Sequence, residues 1–93
     1  MAVTVHIPTP LRPYTGGAAS VDVEGATVGD ALAALTSAHP DLTKHLRDSK
    51  GRLRSFVNVY LGDEDIRFLE KEATAVAAGA ELTIVPSIAG GAS

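Results

Sequence analysis

Apolar and polar residues alternate with a period of two near the start of the chain, which is typical of half-buried strands. The alternation covers two short segments, residues 3–7 and 21–24. Between them the chain contains three prolines and two glycines, Pro8, Pro10, Pro13, Gly16 and Gly17. Because these residues interrupt regular structure, the sequence predicts a hairpin whose two strands are joined by an irregular loop.

A period of three to four residues begins after Thr27 and predicts the central helix. Its apolar positions fall on one helical face, Val28, Ala31, Leu32 and Leu35. Thr27 and Asp30 form an approximate capping box, in which an N-cap threonine contributes about 1 kcal/mol. Pro40 stops or restarts the helix, and a shorter helix is predicted over residues 42–46.

The second half of the chain predicts a strand pair, a crossing and a final strand. Residues 55–61 give the clearest strand, with Val57, Val59 and Leu61 on one face and Phe56, Asn58 and Tyr60 on the other. A turn at residues 62–65 leads to a short returning strand at residues 66–68. Residues 70–79 cross irregularly with room for one helical turn, and the last strand weakens at Pro86.

One helix cannot cover both faces of a sheet, so the other face must contact water. We interpret the aromatic side of the 55–61 strand as this wet face. An exposed apolar patch there would bind partner proteins, and its expected members are Phe56, Tyr60, Val85 and Ile88. The alternative, in which the two aromatic residues belong to the core, fits the same pattern.

Composition limits the possible functions. Ninety-three residues with 45% hydrophobic residues suffice for one domain, and the absence of cysteine excludes disulfides, thiolate metal sites and cysteine nucleophiles. A net charge of −3 argues against nucleic-acid binding, and the basic residues of segment 47–54 are interpreted as a solvated loop. With no basic leader or long apolar run, we expect a cytoplasmic protein.

The sequence lacks the motifs that identify the enzyme classes with the most recognisable signatures. We therefore do not expect this chain to be an enzyme by itself. The three histidines, His6, His39 and His45, are interpreted as solvated surface residues and not as metal ligands. The acidic residues at 63–65 are interpreted as turn residues.

The last residues contain nothing that could pack into a core. We therefore predict a domain at residues 1–88 and a flexible C-terminal tail at residues 89–93. Within the tail, Gly90 and Gly91 lack a Cβ atom, so the chain could enter a narrow enzyme channel and bring its carboxylate close to a nucleotide phosphate.

Taken together, seven segments resemble the ThiS/MoaD family of ubiquitin-like sulfur carriers, and more closely its CysO type. They are TVHIPT at 4–9, LRP at 11–13, TGG at 15–17, FVNVY at 56–60, DEDIRF at 63–68, ATAV at 73–76 and TIVPSIAGG at 83–91. The resemblance implies an α+β fold of the β-grasp type, with a mixed sheet packed on one main helix.

The resemblance also implies a function. An E1-like enzyme would adenylate the carboxylate of Gly91 with ATP, and a donor would convert it to a thiocarboxylate that supplies sulfur for cysteine or another sulfur metabolite. The carrier would itself bind no cofactor and catalyse nothing. ATP, pyridoxal phosphate and zinc would belong to partners, namely the E1-like enzyme, a cysteine-synthase-like acceptor and a JAMM-type peptidase.

Two features depart from the family pattern. Residues 70–72 are Glu-Lys-Glu where such carriers usually have Gly-Gly-Leu, which predicts a more helical turn at the edge of the partner surface. Gly91 is followed by Ala92 and Ser93, so we expect the peptidase to cleave after Gly91. The alternative is that Ala92 and Ser93 are not part of the native protein.

Two other classes of function remain open. A ubiquitin-like protein modifier would use the same activated Gly91 to acylate a lysine amine. A plain β-grasp interaction domain would make no use of its tail. In every case a monomer is the expected state, because the binding face must be free for successive partners.

Overall fold

The computed structural model describes residues 2–54 and 57–86. These residues form strands β1 (Ala2–His6), β2 (Ser20–Glu24), β3 (Val57–Leu61), β4 (Glu64–Asp65) and β5 (Ala80–Pro86), and helices α1 (Val28–Ala38) and α2 (Thr43–Leu46). Short 3-10 helices lie at Thr9–Thr15, Pro40–Leu42, Ile66–Phe68 and Lys71–Ala73. Among these described helices, none is both long and apolar enough to cross a membrane.

The strands form one mixed sheet in the order β2-β1-β5-β3-β4. The last strand, β5, lies between β1 and β3, parallel to β1 and antiparallel to β3. A parallel pair needs a long crossover, and α1 together with the segments that follow it provides one. A mixed sheet on one main helix is the expected α+β, β-grasp arrangement, and this prediction is confirmed.

Helix α1 begins and ends where the sequence predicts. The side chain of Thr27 accepts a hydrogen bond from the backbone N–H of Asp30 at 3.1 Å, which satisfies one of the free donors of the first turn. At the other end the N–H of His39 donates to the carbonyl of Leu35 at 2.9 Å, and Pro40 starts a 3-10 turn. The buried side of the helix is the predicted one, Val28, Ala31, Leu32 and Leu35.

The core lies between α1 and the sheet. Strand residues that point toward the helix are almost fully buried, namely Val3, Val5, Val57, Val59, Leu82 and Ile84. Leu42 and Leu46, one turn apart as predicted, close the core at one end. The other face of the sheet, called the outer face below, is not covered by any helix of residues 2–54 and 57–86.

The proline-rich segment after β1 is regular, and the prediction of an irregular loop is wrong there. Residues Thr9–Thr15 form a 3-10 helix, with Leu11 and Thr15 buried. Proline fixes φ near the helical value, and at the first turn its missing N–H is not needed. Gly16 ends the helix with a left-handed φ of 69°, a conformation that favours glycine.

The returning strand is shorter than predicted and begins two residues earlier. Strand β4 is Glu64–Asp65, and residues Ile66–Phe68 form a 3-10 turn instead. The reason is the Asp65 carboxylate, which accepts the backbone N–H of Arg67 at 2.9 Å and its guanidinium at 2.9 Å. The pKa of Asp65 is lowered below 3.8, mainly by the side-chain hydrogen bond from Arg67. The backbone hydrogen bond from Arg67 lowers this pKa further, whereas burial of the carboxylate raises it.

Two surface assignments are also corrected. The interpretation of His45 as a solvated side chain is wrong, because its ring stacks on Tyr14 at a centroid distance of 4.1 Å. Its Nε2 atom is buried and has no hydrogen-bond partner in the part of the chain that the structure describes. Arg47 is not a solvated loop residue either, since it makes two hydrogen bonds, at 2.7 and 3.2 Å, to Glu72.

Candidate functional site

Two of the four predicted partner-binding residues lie together on the outer face. Tyr60 pairs with Thr83 across β3 and β5, and Val85 pairs with Asn58 two residues further along. Tyr60 and Val85 are therefore diagonal neighbours, within reach of a large side chain. Val85 is 39% exposed and Tyr60 is half-buried. Their role in partner binding stays a prediction, and Phe56 and Ile88 lie outside the described residues.

Polar side chains occupy the strands on the β1 and β2 side of this pair. The hydroxyl of Thr4 donates to Asp22 at 2.9 Å between β1 and β2. Nε2 of His6 and a carboxylate oxygen of Glu81 are 2.6 Å apart, joining β1 to β5. The outer face thus has a narrow apolar strip with polar residues beside it, as is usual for a surface that binds partners reversibly.

An open groove of about 370 Å³ lies where β1 and β5 end. Its lining includes His6, Pro8, Arg12, Thr83, Val85 and Pro86. Nε of Arg12 donates to the carbonyl of Ile7 at 3.0 Å, which holds the guanidinium beside the groove. We call this the terminal groove, because Pro86 is the last described residue before the C-terminal tail.

The sequence did not predict the terminal groove. It is formed by the parallel pairing of β1 with β5, which places His6 opposite Thr83. No local pattern indicates which of several strands a given strand will contact. The only available signal was the resemblance, because TVHIPT and TIVP supply its two sides.

The groove is suited to binding. Its described lining includes one imidazole, one guanidinium and several aliphatic side chains, a combination that can hold an extended peptide. Among residues 2–54 and 57–86, no three carboxylate or imidazole side chains come together as a metal site. The predicted reactive and processing residues, Gly90, Gly91 and Ala92, lie outside the described residues.

The turn at residues 70–73 contains the first departure from the family pattern, the Glu-Lys-Glu sequence at residues 70–72. Residues Lys71–Ala73 form one 3-10 turn, as the Glu-Lys-Glu sequence predicted. Lys71 has a left-handed φ of 55°. Its neighbour Glu72 is the carboxylate that pairs with Arg47, so this turn is fixed to the loop after α2.

Comparison with known proteins gives consistent results. The sulfur carrier protein CysO of Mycobacterium tuberculosis is 47% identical over 98% of this chain and all of its own length. Its crystal structure superposes with a TM-score of 0.84, covering 91% of this chain and 98% of that one. Small archaeal modifier protein 1 of Haloferax volcanii is 44% identical over 76% of this chain and 78% of its own.

A second similar structure is a chain in the crystal structure of the BexX/CysO complex of Amycolatopsis orientalis. It is 42% identical, with a TM-score of 0.85, and covers 91% of this chain and 94% of that one. The ThiS family itself matches residues 5–91, which is nearly the whole sequence. The match includes the terminal groove, the outer face and Gly91, and it confirms the resemblance: the chain belongs to the ThiS family.

Proposed function

We propose that this chain is a sulfur carrier protein and that the carboxylate of Gly91 is its reactive group. The observation that supports this most directly is the 47% identity to the sulfur carrier protein CysO over the full length of that relative. The match to the ThiS family ends at Gly91, which is the residue that such chemistry would require at the terminus.

The proposed chemistry takes place on partner enzymes. An E1-like enzyme joins the Gly91 carboxylate to AMP from ATP and releases pyrophosphate. A sulfur nucleophile then forms a C–S bond to the carbonyl carbon while the bond to AMP breaks, and the product is a thiocarboxylate. The anionic sulfur can attack an electrophile held by a second enzyme. The carrier supplies the reactive group, and the partners supply the catalytic residues and cofactors.

The position of β5 suits this role. Because β5 lies between β1 and β3, its residues 80–83 pair with β1, and its pairing with β3 continues to Pro86. Gly91 follows Pro86 by five residues, so it could extend at most roughly 18 Å from the sheet. The terminal groove beside Pro86 offers a partner enzyme a surface on which to fix the tail.

Cleavage of the Gly91–Ala92 bond would precede activation. The adenylated carboxylate must belong to Gly91, and Ala92 and Ser93 follow it in the sequence. A JAMM-type zinc peptidase is the proposed enzyme. The two glycines favour cleavage at this point, because a chain without side chains fits a narrow peptidase channel.

A PLP-dependent, cysteine-synthase-like enzyme acting on an activated serine is the proposed sulfur acceptor, with enzymes for other sulfur metabolites as its rivals. All of these partners would act in the cytoplasm. The complex of BexX with the CysO of Amycolatopsis orientalis supports the more general point that a relative of this size and fold binds a partner protein.

Similarity to a small archaeal modifier protein favours a second candidate function. In that case the activated Gly91 would acylate a lysine amine of a target protein, and the product would be an amide in place of a thiocarboxylate. Activation by adenylation would be common to both functions.

Intact-mass measurement on three forms of the protein tests the proposal. The full chain, a form lacking residues 92–93 and a form lacking residues 90–93 are each expressed in the source organism and purified without alkylation. We expect the first two to give the same product, ending at Gly91 with one terminal oxygen replaced by sulfur. The third form should stay unmodified. The full chain should also stay unprocessed in cells that lack the peptidase, whereas the form lacking residues 92–93 should not need it.

Two outcomes would contradict the proposal. If the form lacking residues 92–93 keeps an ordinary carboxylate in the presence of ATP, the E1-like enzyme and a sulfur donor, the chain is not a sulfur carrier. If Gly91 is instead found in thiol-resistant amide linkage to lysine, the modifier function replaces it.

A further inference from the structure

A cleft of about 430 Å³ lies at the β3 edge of the sheet, on the side that faces the helix. Its floor is aliphatic and consists of Leu53, Val57, Val59 and Ile66. Its rim carries four cations, Arg52, Arg54, Arg67 and Lys71. We call it the basic cleft. Among the described residues it shares no lining residue with the terminal groove.

The carboxylates around the basic cleft are already engaged. Glu72, which also lines it, is neutralised by Arg47 at 2.7 Å. Asp65 pairs with Arg67 at 2.9 Å, and Asp48 with Arg52 at 3.4 Å. Three of the five cations in this region, Arg47, Arg52 and Arg67, are thus paired. Arg54 also has a partner, so of these five cations only Lys71 is unpaired among the described residues.

Lys71 combines an unusual backbone conformation with an unpaired side chain. It is exposed, its φ is 55°, and its ammonium group has no ion pair or hydrogen bond with any residue that the structure describes. Left-handed backbone is unfavourable for a lysine, and such residues often occur at functional positions. The turn is fixed by the hydrogen bonds from Glu70 N to Thr74 Oγ1 and from Ala73 N to Glu70 O, at 2.9 and 3.0 Å.

We propose that the basic cleft binds an acidic segment of a partner protein, with one aliphatic side chain on the floor and the flanking carboxylates on the rim. Charge complementarity selects the carboxylates, and Lys71 supplies a cation that has no partner within the described chain. The floor selects an apolar side chain, which a free phosphate or a nucleic-acid backbone would not provide. Interspersed carboxylates also disfavour a polyphosphate chain.

This proposal goes beyond the carrier function and does not depend on it. Val57 and Val59 point toward the helix, whereas Tyr60 and Val85 point to the outer face. A partner bound in the basic cleft therefore leaves the outer face free for a second protein.

Titration of the full, isotope-labelled chain with three blocked peptides, followed by amide chemical shifts, tests the proposal. The first peptide is Asp-Glu-Leu-Asp-Glu, the second replaces the acids by their amides, and the third replaces leucine by serine. We expect saturable shifts at residues 52–54 and 66–72 with the first peptide only, at about millimolar affinity or better. Raising the ionic strength to about 0.5 M should weaken binding severalfold.

Two lysines provide a matched pair of variants. Lys71→Met should weaken binding of the acidic peptide about fivefold, because it removes one rim charge and keeps the length of the side chain. Lys50→Met is the control, since Lys50 lies on the neighbouring loop outside the cleft lining. Arg52→Gln, at a largely exposed side chain, gives a second rim variant.

The proposal is overturned if the amide peptide binds as tightly as the acidic one, if the shifts map to the outer face, or if both lysine variants behave alike. Tighter binding of an oligonucleotide at the same amides would also overturn it. None of these measurements involves thiocarboxylate formation. If the peptide does not bind in the basic cleft, the carrier function is not contradicted. If the carrier function is wrong, peptide binding in the cleft is still valid.

Discussion

The terminal groove and the basic cleft are built from different kinds of structure. The groove lies where β1 and β5 pair, and strand register fixes His6, Thr83 and Val85 in its lining, whereas Pro8 and Arg12 come from the segment after β1. The basic cleft lies among loops and 3-10 turns, which ion pairs such as Arg47 with Glu72 connect. The groove should therefore be lost only with the sheet, whereas the cleft can be altered by single surface substitutions. This difference allows the two surfaces to be tested separately.

Removing a core side chain from β5 should affect both surfaces most strongly. Leu82 is fully buried in the strand between β1 and β3. We expect Leu82→Ala to lower the free energy of unfolding by about 2–5 kcal/mol, because it removes buried methyl groups and leaves a cavity. Urea unfolding monitored by circular dichroism measures this change. A loss below about 1 kcal/mol would show that β5 is not the common support of both surfaces.

Breaking the ion pair beside the basic cleft should have a moderate effect. Arg47→Met leaves the carboxylate of Glu72 without its partner, and the pair is largely buried on the arginine side. We expect about 1–2 kcal/mol of lost stability and weaker binding of the acidic peptide. Amide shifts at the terminal groove should not change. If they change as much as those of the cleft, the two surfaces are not independent.

On the outer face, Val85→Asp should act on partner binding and leave the fold intact. Val85 is partly exposed, so the substitution costs little in the free chain and removes apolar area from the proposed interface. We expect roughly tenfold lower kcat/KM for adenylation by the E1-like enzyme, which corresponds to about 1.4 kcal/mol. The form lacking residues 92–93 is used to avoid dependence on cleavage. Lys71→Met is the control and should leave this rate unchanged.

The Asp65–Arg67 pair at the β4 turn should make stability depend on pH. Arg67 lowers the pKa of Asp65 below its ordinary value of 3.8, so Asp65 stabilises the fold fully above pH 3.8 and loses this effect as the pH falls through the lower value in the folded state. We expect Asp65→Asn to have a lower free energy of unfolding than the parent protein at pH 7. The difference between the two proteins should become smaller well below pH 3.8. Urea unfolding at both pH values measures this difference. If the difference does not change with pH, the Asp65–Arg67 pair is not the cause of the pH dependence.

The smallest expected effect is a gain in stability from Lys71→Gly. Glycine adopts a φ of 55° without the steric penalty of about 1–2 kcal/mol that lysine pays, but it adds roughly 0.5–1 kcal/mol of entropy to the unfolded chain. The net expectation is a gain of about 0.5 kcal/mol. Lys50→Gly, at an exposed loop position, is the matched control and should not stabilise.

Local patterns predicted the elements that depend on neighbours in sequence. The alternation at residues 3–7 and 21–24, the apolar face of α1 and the buried pair Val57 and Val59 all appear in the structure. Each of these follows from side-chain period alone. The predicted strand at residues 66–68 was wrong because hydrogen bonds to the Asp65 carboxylate compete with strand pairing. The predicted irregular loop was wrong because its prolines are compatible with a 3-10 helix.

The candidate site was less predictable than the fold. Tyr60 and Val85 could be placed on one face because their strand periods are clear. The terminal groove and the basic cleft depend on contacts between distant segments, such as β1 with β5 and Arg47 with Glu72, and no local window contains both partners. The Tyr14–His45 stack was missed for the same reason.

The central position of β5 also has a consequence for protein synthesis. Val3 pairs with Ala80, so the middle of the sheet cannot form until the ribosome has made nearly the entire domain. Pairing over such a sequence distance is slow compared with formation of α1. A truncated translation product that ends before β5 would have neither the groove nor a proper outer face. Under the proposed function, partner enzymes that bind those surfaces would therefore ignore incomplete chains, and only molecules translated as far as the tail would be converted to the thiocarboxylate.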